Sequence, residues 1–242
     1  MKILAVSDKE DNHLKHIIEN HPEKLKAVDY VFSCGDLQKD YIEFIVDGLK
    51  KKMYFVCGNH FASQFYESLS PQEFCNKVYH GKGIKNHCGS TDVHGNIEII
   101  ENYILVGFGG SMRYSLGDFQ LNDVEMEKLV EKTCRTIRRI KLLDFIFFRK
   151  RKKIIVISHA PVNGIFDGID LCHRGFGAFR KFIFKAKPLL WLHGHIHTED
   201  RRNTNKQILD ETLIVNVCFA KIIEIENELI TVKNVYDETQ KA

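Results

Sequence analysis

The chain has 242 residues, and 44% of them are hydrophobic, which is enough for a sizeable core and excludes an intrinsically disordered protein. The formal net charge of +3 is too small an excess to indicate a polyanionic partner by itself. No apolar run approaches the ~18 residues of a membrane span, so we expect no membrane partner.

The first 60 residues alternate between strand and helix patterns. Short apolar runs predict buried strands over residues 3–6, 28–33 and 53–56. Between them, the spacing of apolar residues predicts a helix around residues 14–18 and an amphipathic helix over residues 41–49. This alternation is typical of a parallel sheet in an α/β fold.

The middle of the chain is less regular. Residues 61–95 contain four glycines after position 80 and predict an irregular loop with one short helix near Pro71. A hairpin is predicted over residues 97–107, followed by a long helix over residues 122–143. The later strands are predicted over residues 154–157, 189–192, 213–217, 222–225 and 229–235. The last two of these read as an antiparallel hairpin.

Cysteine and linker patterns bear on compartment and domain number. Seven scattered cysteines contain no Cys-x-x-Cys pair, and no signal sequence precedes the first predicted strand. We therefore expect reduced thiols and a cytoplasmic protein. Four prolines and the lack of a low-complexity linker predict a single domain over residues 1–242. The sequence leaves the oligomeric state open.

Polar residues follow five of the predicted strands directly, at the point where each strand ends. These residues are Asp8 and Glu10, Asp36, Asn59 and His60, His159, and His195 and His197. Because the carboxyl ends of strands in an α/β sheet meet in one crevice, we expect these side chains to be neighbours. Carboxylates, an amide oxygen and imidazoles form a mixed site for divalent metal, with more ligands than one ion needs. The pattern therefore indicates two metal ions and a hydrolase.

Taken in chain order, these blocks resemble the calcineurin-like metallophosphoesterase family. The blocks are Asp8-Lys9-Glu10, Gly35-Asp36, Gly58-Asn59-His60, Ser158-His159-Ala160-Pro161 and Gly194-His195-Ile196-His197. Two further stretches, residues 110–114 and 159–176, resemble a bacterial branch of small phosphoesterases within that family. The resemblance implies an α/β fold of two packed mixed β-sheets flanked by α-helices, a four-layer sandwich with a binuclear metal centre at one edge. It also implies a metal-dependent phosphoesterase.

The resemblance assigns a role to each residue of the site. Asp36 bridges the two ions, because a carboxylate can bond two cations at once. By this resemblance, one ion is coordinated by Asp36 with Asp8, Glu10 and His197. The other is coordinated by Asp36 with Asn59, His159 and His195. A hydroxide that bridges the ions attacks phosphorus in a phosphate mono- or diester, and His60, left without a metal, protonates the leaving oxygen as general acid. Substrate contacts are expected from Asn59, Arg113 and His173.

Glu10 departs from the family pattern, which usually has histidine at this position. A carboxylate adds negative charge and favours harder metals, so we expect Mn²⁺ or Fe, with Zn²⁺, Ni²⁺ and Mg²⁺ as alternatives. The exchange could equally weaken the first metal site. It is the one feature that favours an alternative function, a scaffold that keeps this fold but binds partners without turnover.

For several other groups of residues, a structural role is favoured over a functional one. The basic run 149–153 favours a solvated face, and a nuclease that attracts nucleic acid through this run is the alternative. The adjacent apolar residues 145–148 are expected in the core or in a dimer contact rather than at a membrane. His80, His87, Cys88 and His94 follow no zinc-finger spacing and are expected to be ordinary loop residues.

The choice of substrate is expected to depend on the loops 61–95 and 109–123.

Overall fold

The computed structural model describes residues 1–83, 86–87, 89–200 and 203–239. Its strands, in chain order, are β1 (Lys2–Ser7), β2 (Tyr30–Ser33), β3 (Lys52–Phe55), β4 (Asn86–His87), β5 (Ser90–Asp92), β6 (Ile97–Ile100), β7 (Tyr103–Phe108), β8 (Ser111–Met112), β9 (Gln120–Leu121), β10 (Lys153–Ser158), β11 (Leu190–His193), β12 (Lys206–Leu209), β13 (Thr212–Asn216), β14 (Phe219–Glu226) and β15 (Leu229–Asn234). Its helices are α1 (Asn12–Asn20), α2 (Lys39–Leu49), α3 (Ala62–Tyr66), α4 (Pro71–His80), α5 (Asp123–Ile146), α6 (Gly177–Ala186) and α7 (Val235–Thr239). A short 3-10 helix, Pro22–Leu25, follows α1.

Two large mixed sheets form the centre of the molecule. The first has the strand order β15-β14-β1-β2-β3-β5-β4, and the second has the order β12-β13-β11-β10-β7-β6. In the first sheet β1, β2, β3 and β5 run parallel, and in the second β7, β10, β11 and β13 run parallel. Antiparallel pairings lie toward the edges of both sheets. The predicted fold class, two packed mixed sheets flanked by helices, is confirmed.

The alternation of side chains along each strand creates the layers. Ile3 on β1 belongs to an apolar cluster that also contains Leu105 of the second sheet, so the two sheets pack face to face. Leu4, its neighbour in the chain, points to the opposite face and joins the cluster that contains Leu14 of α1 and Ile45 of α2. All five side chains are buried. The helices therefore cover the outer face of the first sheet.

Aromatic packing covers the outer face of the second sheet in the same way. Phe108 at the end of β7 and Trp191 on β11 contact Phe179 and Phe182 of α6, with ring centroids 5.0–6.2 Å apart. Fully buried aromatic side chains are among the largest single contributions to a core, because each removes on the order of 150–250 Å² from water. This face fixes β10 and β11, whose ends carry His159, His195 and His197.

The sequence prediction for residues 61–95 is wrong in part. The pattern predicts an irregular loop with one short helix, whereas the structure has two helices, α3 and the ten-residue α4. Ser70 and Glu73 form a capping box at the start of α4, and Gly81 ends the helix at a φ of +57°. The glycine read as a loop signal is therefore a helix C-cap, a position that requires the left-handed conformation.

Helix α5 extends to Ile146, beyond the predicted end at residue 143, and begins with a capping box between Asn122 and Glu125. Of the two places expected for residues 145–148, the core is wrong, because all four are exposed, and the dimer contact stays a prediction. The buried stripe of α5 ends at Asp144, whose carboxylate accepts two hydrogen bonds of 2.9 Å from Lys152. The apolar side chains of residues 145–148, which follow Asp144, are therefore not covered by the core.

A buried ion pair lies below the carboxyl end of β3. The ammonium of Lys77 on α4 lies 2.7 Å from the carboxylate of Asp92, and both side chains are almost completely buried. The contact is an ion pair without the geometry of a hydrogen bond. The Tyr66 hydroxyl and the His94 backbone N–H also donate to the Asp92 carboxylate, at 2.5 and 2.8 Å. This network joins α3, α4 and β5 beneath the loop that carries Asn59.

Lys77→Met is expected to lower the free energy of unfolding by about 3–5 kcal/mol, because it leaves the Asp92 carboxylate buried without its counter-charge. Urea denaturation of the purified protein measures this change. Lys50→Met is the matched control, since Lys50 forms an exposed ion pair with Asp47 and such pairs contribute little. Equal stability of the two variants would contradict the role given to Lys77.

Candidate metal centre

The polar residues that follow five parallel strands meet where the carboxyl ends of the two sheets come together. Asp8, Asp36 and Asn59 follow β1, β2 and β3 of the first sheet, while His159 and His195 follow β10 and β11 of the second. The ligand atoms of Asp36, His159 and His195 all lie within 4.8 Å of one another. The predicted convergence of these side chains is therefore present in the fold.

Three lone-pair atoms surround one ring nitrogen. The Nε2 of His159 lies 3.3 Å from Asp36 Oδ2, 3.1 Å from Asn59 Oδ1 and 3.0 Å from His195 Nδ1. A single proton on Nε2 cannot form good hydrogen bonds with all three of these atoms at once. A carboxylate, an amide oxygen and two imidazoles are ligands that a divalent first-row metal accepts. The donor set fits a metal ion.

Backbone carbonyls fix the orientation of both rings. His159 Nδ1 donates to the Cys34 carbonyl at 2.9 Å, and His195 Nε2 donates to the Cys172 carbonyl at 2.8 Å. A carbonyl only accepts, so these nitrogens carry hydrogens and leave His159 Nε2 and His195 Nδ1 facing the cluster. Such partners orient metal-binding histidines and hold the ligand nitrogen in place.

Asp8 adds a carboxylate beside the two histidines, with its Oδ1 4.0 Å from His159 Nδ1. Its Oδ1 accepts from the His195 backbone N–H at 2.7 Å, and its side chain is completely buried. Its Oδ2 is buried without a hydrogen-bond partner among the described residues. An unpaired buried carboxylate oxygen is costly, so this atom also fits a site for a cation.

Close backbone approaches shape the cluster. A Cβ atom on Gly58 would lie 1.9 Å from Asp36 Oδ1, and one on Gly194 would lie 2.0 Å from Ser7 Oγ. Asp8, Asp36 and His195 themselves adopt positive φ values of 64°, 53° and 70°. Non-glycine residues in this region are strained, and such strain concentrates at functional sites.

The charges at the cluster are strongly coupled. Burial raises the pKa of Asp8, whereas at Asp36 the effect of burial is exceeded by the combined effects of the His159 ring and the His60 residue, which lower the pKa. Burial disfavours a charge on His159, but the Asp36 carboxylate outweighs it and raises the pKa of His159 to about 9. Burial and the charge on His159 lower the pKa of His195 to about 3. A divalent cation at the centre of the cluster would bind the same lone pairs and compete with a proton for them.

The remaining two predicted metal ligands lie at the periphery. His197 is 55% exposed, and its Nε2 is 3.9 Å from Asp8 Oδ1. Glu10 forms an ion pair with Lys15, and no hydrogen bond or ion pair joins it to the cluster within the described part of the chain. The structure thus brings together Asp8, Asp36, Asn59, His159 and His195 and leaves Glu10 and His197 looser. One side of the site is better organised than the other.

His60 lies at the mouth of the site. Its backbone N–H donates to Asp36 Oδ1 at 2.8 Å, while its side chain is exposed. The backbone contact fixes the position of the residue next to the cluster, and the exposed ring is accessible to a molecule that binds there.

The two other predicted substrate contacts differ from each other. The His173 ring centroid lies 5.3 Å from that of His195, and its Nδ1 is 2.9 Å from Asp170. The guanidinium of Arg113 instead donates to Glu125 at 2.7 Å and to the Gln120 carbonyl at 3.1 Å. His173 therefore borders the cluster, whereas Arg113 attaches its loop to the start of α5.

The loop histidines without a finger pattern include one buried residue. The His94 ring accepts a hydrogen bond from the Gly109 N–H at 2.7 Å and has its Nε2 2.9 Å from the Val78 carbonyl. Burial lowers the pKa of His94 to about 4. Both ring nitrogens are occupied by backbone groups, which fits a structural role. Cys88 lies outside the described residues.

Tyr114 was not singled out from the sequence, yet it contacts the cluster. Asn59 Nδ2 donates to the Tyr114 hydroxyl at 3.1 Å, which leaves Asn59 Oδ1 pointing at His159. Tyr114 thus connects its own loop to the loop that carries Asn59. It lies in the stretch 110–114 that resembles the bacterial branch, but the sequence gives it no role, because the contact joins residues 55 positions apart.

Comparison with known proteins identifies the family to which this chain is similar. A family model described as calcineurin-like phosphoesterase matches residues 1–199. A search of curated proteins finds no match. Among solved structures, the protein TT1561 of Thermus thermophilus is 14% identical with a TM-score of 0.61, covering 97% of this chain and 98% of its own. A dimetal phosphatase from Danio rerio is 10% identical with a TM-score of 0.60 and the same coverage. At these identities the structures are similar to this chain in fold.

Tyr114→Phe is expected to weaken divalent metal binding about 10–100-fold, the range for outer-sphere partners of a ligand, because it frees the Asn59 amide to rotate. Calorimetric titration with Mn²⁺ measures the affinity. Tyr30→Phe is the matched control, since the Tyr30 hydroxyl donates to Glu101 away from the site. Unchanged affinity in Tyr114→Phe would show that Asn59 is oriented without the hydroxyl.

Proposed function

This chain belongs to the calcineurin-like phosphoesterase family, and we propose that it hydrolyses a phosphate mono- or diester with two divalent metal ions and His60 as general acid. The observation that carries the proposal is the cluster around His159 Nε2, where Asp36, Asn59 and His195 each direct a lone pair at one point. A structural cluster would pair these atoms with donors. Here they share a single proton.

The ligands divide into two sets that share Asp36. Asn59, His159 and His195 would hold one ion with Asp36, and Asp8, Glu10 and His197 would hold the other. When bound, the two ions would supply positive charge for the phosphoryl oxygens and lower the pKa of a bound water molecule. Asp36 can join both sets because its Oδ2 faces His159 at 3.3 Å and its Oδ1 is held by the His60 N–H at 2.8 Å.

His60 provides the proton that the leaving oxygen requires. Its ring is exposed beside the cluster, carries no ligand role and can donate a proton through a ring N–H. A positioned general acid contributes about 10²–10⁴-fold to a reaction of this kind. Asn59 and His173 border the space in front of it and contact the ester. For Arg113, the pairing with Glu125 argues against the substrate role expected from the sequence.

The ligand chemistry guides the choice of metal. Oxygen ligands from Asp8, Glu10, Asp36 and Asn59 outnumber the imidazoles, which favours Mn²⁺ or Fe. Zn²⁺, Ni²⁺ and Mg²⁺ are the alternatives. The Lys15 ammonium, which pairs with Glu10, competes with a metal ion for that carboxylate. We therefore propose that the ion held by Asp8, Glu10 and His197 binds more weakly than the other.

Two broader expectations complete the proposal. The chain forms one domain, since both sheets share the apolar layer that contains Ile3 and Leu105. The protein works in the cytoplasm, which suits the free thiols of the six cysteines that the structure describes. Within the described residues, no helix is long and apolar enough to cross a membrane.

His60→Ala is expected to reduce the Mn²⁺-dependent hydrolysis of an alkyl phosphate about 10²–10⁴-fold and that of a nitrophenyl phosphate much less. The reason is that nitrophenolate leaves without a proton, whereas an alkoxide does not. Steady-state rates with both substrates, as mono- and diesters, measure the difference and the ester preference. His80→Ala, at an exposed histidine on α4, is the control.

Two other outcomes would contradict this role. Equal losses on both substrates would make His60 a residue that organises Asp36 rather than an acid. A lack of turnover across Mn²⁺, Fe²⁺, Ni²⁺ and Mg²⁺ in metal-replete wild-type protein would favour the binding scaffold.

Glu10→Ala is expected to raise the Mn²⁺ concentration for half-maximal activity at least about tenfold, because it removes an oxygen ligand from the weaker site. Lys15→Met should lower that concentration, since it frees the carboxylate. Metal titrations of activity measure both effects, with Glu19→Ala on the exposed face of α1 as control. If neither variant shifts the curve, Asp8, Asp36 and His197 hold that ion without Glu10.

A further inference from the structure

The C-terminal end of α5 carries a cluster of exposed apolar side chains, which we call the apolar tip. Its members are Leu142, Leu143, Phe145, Ile146, Phe147 and Phe148, and they are 49–97% exposed. Single exposed apolar residues are common on protein surfaces, but a contiguous group indicates an interaction site. Six in a span of seven residues form such a group.

Phe148 is the clearest case. Its side chain is 97% exposed, and its backbone has a φ of +50°, in the left-handed region where glycine is preferred. The Arg149 N–H closes the end of the helix by donating to the Asp144 carbonyl at 2.8 Å. A bulky residue in this conformation is an outlier, and an exposed ring recovers nothing by packing. Fold stability therefore does not explain a phenylalanine here.

Cations flank the apolar tip on both sides, and we call them the cationic collar. They are Arg149, Lys150 and Arg151 after the tip, and Arg135, Arg138 and Arg139 before it. All six are exposed, and none pairs with a carboxylate within the part of the chain that the structure describes. Lys152 and Lys153 belong to the same run but pair with Asp144 and Glu228. The collar is thus a concentrated charge on a chain of net charge +3.

The geometry of α5 places the apolar tip beyond the three arginines that precede it, while Arg149, Lys150 and Arg151 directly follow Phe148. Arg135, Arg138 and Arg139 lie on the face opposite the buried stripe that contains Ile137. Leu142 and Ile146 continue that face toward the end of the helix. From residue 139 to residue 146 the rise is about 10 Å. Apolar groups of surface-bound helices enter a bilayer by about 5–10 Å, with cations at the level of the headgroups. The two distances agree.

We propose that the end of α5 binds the surface of an anionic phospholipid membrane, with the apolar tip inserted among the acyl chains and the cationic collar on the headgroup phosphates. Stable surface binding needs two signals, and an apolar insertion next to a polybasic run supplies both. No spanning segment is involved. The proposal replaces the expectation from the sequence that the protein has no membrane partner.

The same features disfavour other occupants. A symmetric contact between two copies would bring the same patch of each together, and the cations of both collars would repel. Nucleic acid would engage the cations and could stack on the phenylalanines, but Leu142, Leu143 and Ile146 offer nothing to a base. Protruding aliphatic and aromatic side chains surrounded by cations match a lipid surface in both shape and charge.

The membrane-bound protein would keep its metal centre in water. Helix α5 begins after β9, where Asp123 pairs with Arg174 next to His173, and ends before β10, where the Lys153 N–H donates to the Asn102 carbonyl. Its 24 residues span about 36 Å, so the apolar tip lies at the end of the molecule opposite the metal centre. The basic run therefore cannot guide a substrate to His60, which also argues against the nuclease alternative.

Flotation of the full-length protein with vesicles tests the proposal. Wild type should bind vesicles of phosphatidylcholine with phosphatidylglycerol and bind pure phosphatidylcholine far more weakly. Phe147→Ala/Phe148→Ala should lower binding on the order of 100-fold, from about tenfold for each buried ring. Arg149→Gln/Lys150→Gln/Arg151→Gln should also lower it about 100-fold, from about fivefold for each cation near an anionic surface.

Val124→Ala is the matched control, because Val124 is an exposed apolar residue at the other end of the same helix. All substitutions are at exposed positions, and circular dichroism checks that each variant is folded. Equal flotation of the wild type and both multiple variants would overturn the proposal. So would a dimer in sedimentation that Phe147→Ala/Phe148→Ala disrupts without any vesicle binding, or binding of duplex DNA through the three cations without any binding of vesicles.

Discussion

The organisation of the site depends on burying two carboxylates and two imidazoles at the seam between the sheets. Burial alone would make each charged group unfavourable, and the groups are compatible only because they share charge. Asp36 raises the pKa of His159, and His159 in turn lowers those of Asp36 and His195. The arrangement is short of positive charge, since Asp8 Oδ2 still has no partner among the described residues. That deficit is the physical argument for a cation.

Backbone geometry holds this unfavourable arrangement in place. Carbonyl groups of Cys34 and Cys172 fix the two rings, and the absence of a side chain at Gly58 leaves room for the Asp36 carboxylate. The left-handed conformations of Asp8, Asp36 and His195 cost free energy that the surrounding sheets must offset. The sheets do so through buried layers in which residues such as Ile3 and Trp191 are completely enclosed. Stability of the core and geometry of the site are therefore linked.

The two ends of α5 have different surroundings. At its start, the capping box of Asn122 and Glu125 receives Arg113, which attaches the loop of Tyr114 near the metal centre. At its end, the helix extends beyond the sheet that it covers and exposes aromatic side chains to water. One helix, about 36 Å long, thus begins near the candidate metal centre and ends at a surface that suits a membrane. This arrangement would hold the enzyme at a lipid surface while its site faces dissolved esters.

The sequence by itself determined the parallel strand segments and the polar residues that follow them, because both depend on local patterns of apolar and charged residues. It also predicted the two packed sheets, though only through resemblance to a family. Only the tertiary structure decided what depends on distant contacts: the pairing of Arg113 with Glu125, the hydrogen bond from Asn59 to Tyr114 and the separation of Glu10 from the cluster. It likewise decided that residues 145–148 are exposed, since an apolar run is equally compatible with a core or a surface until the neighbouring layer is known. The physical reason is that sequence periodicity is a local property, which indicates only which residues can be buried. Contacts between residues far apart in the chain determine which residues are buried in the folded protein.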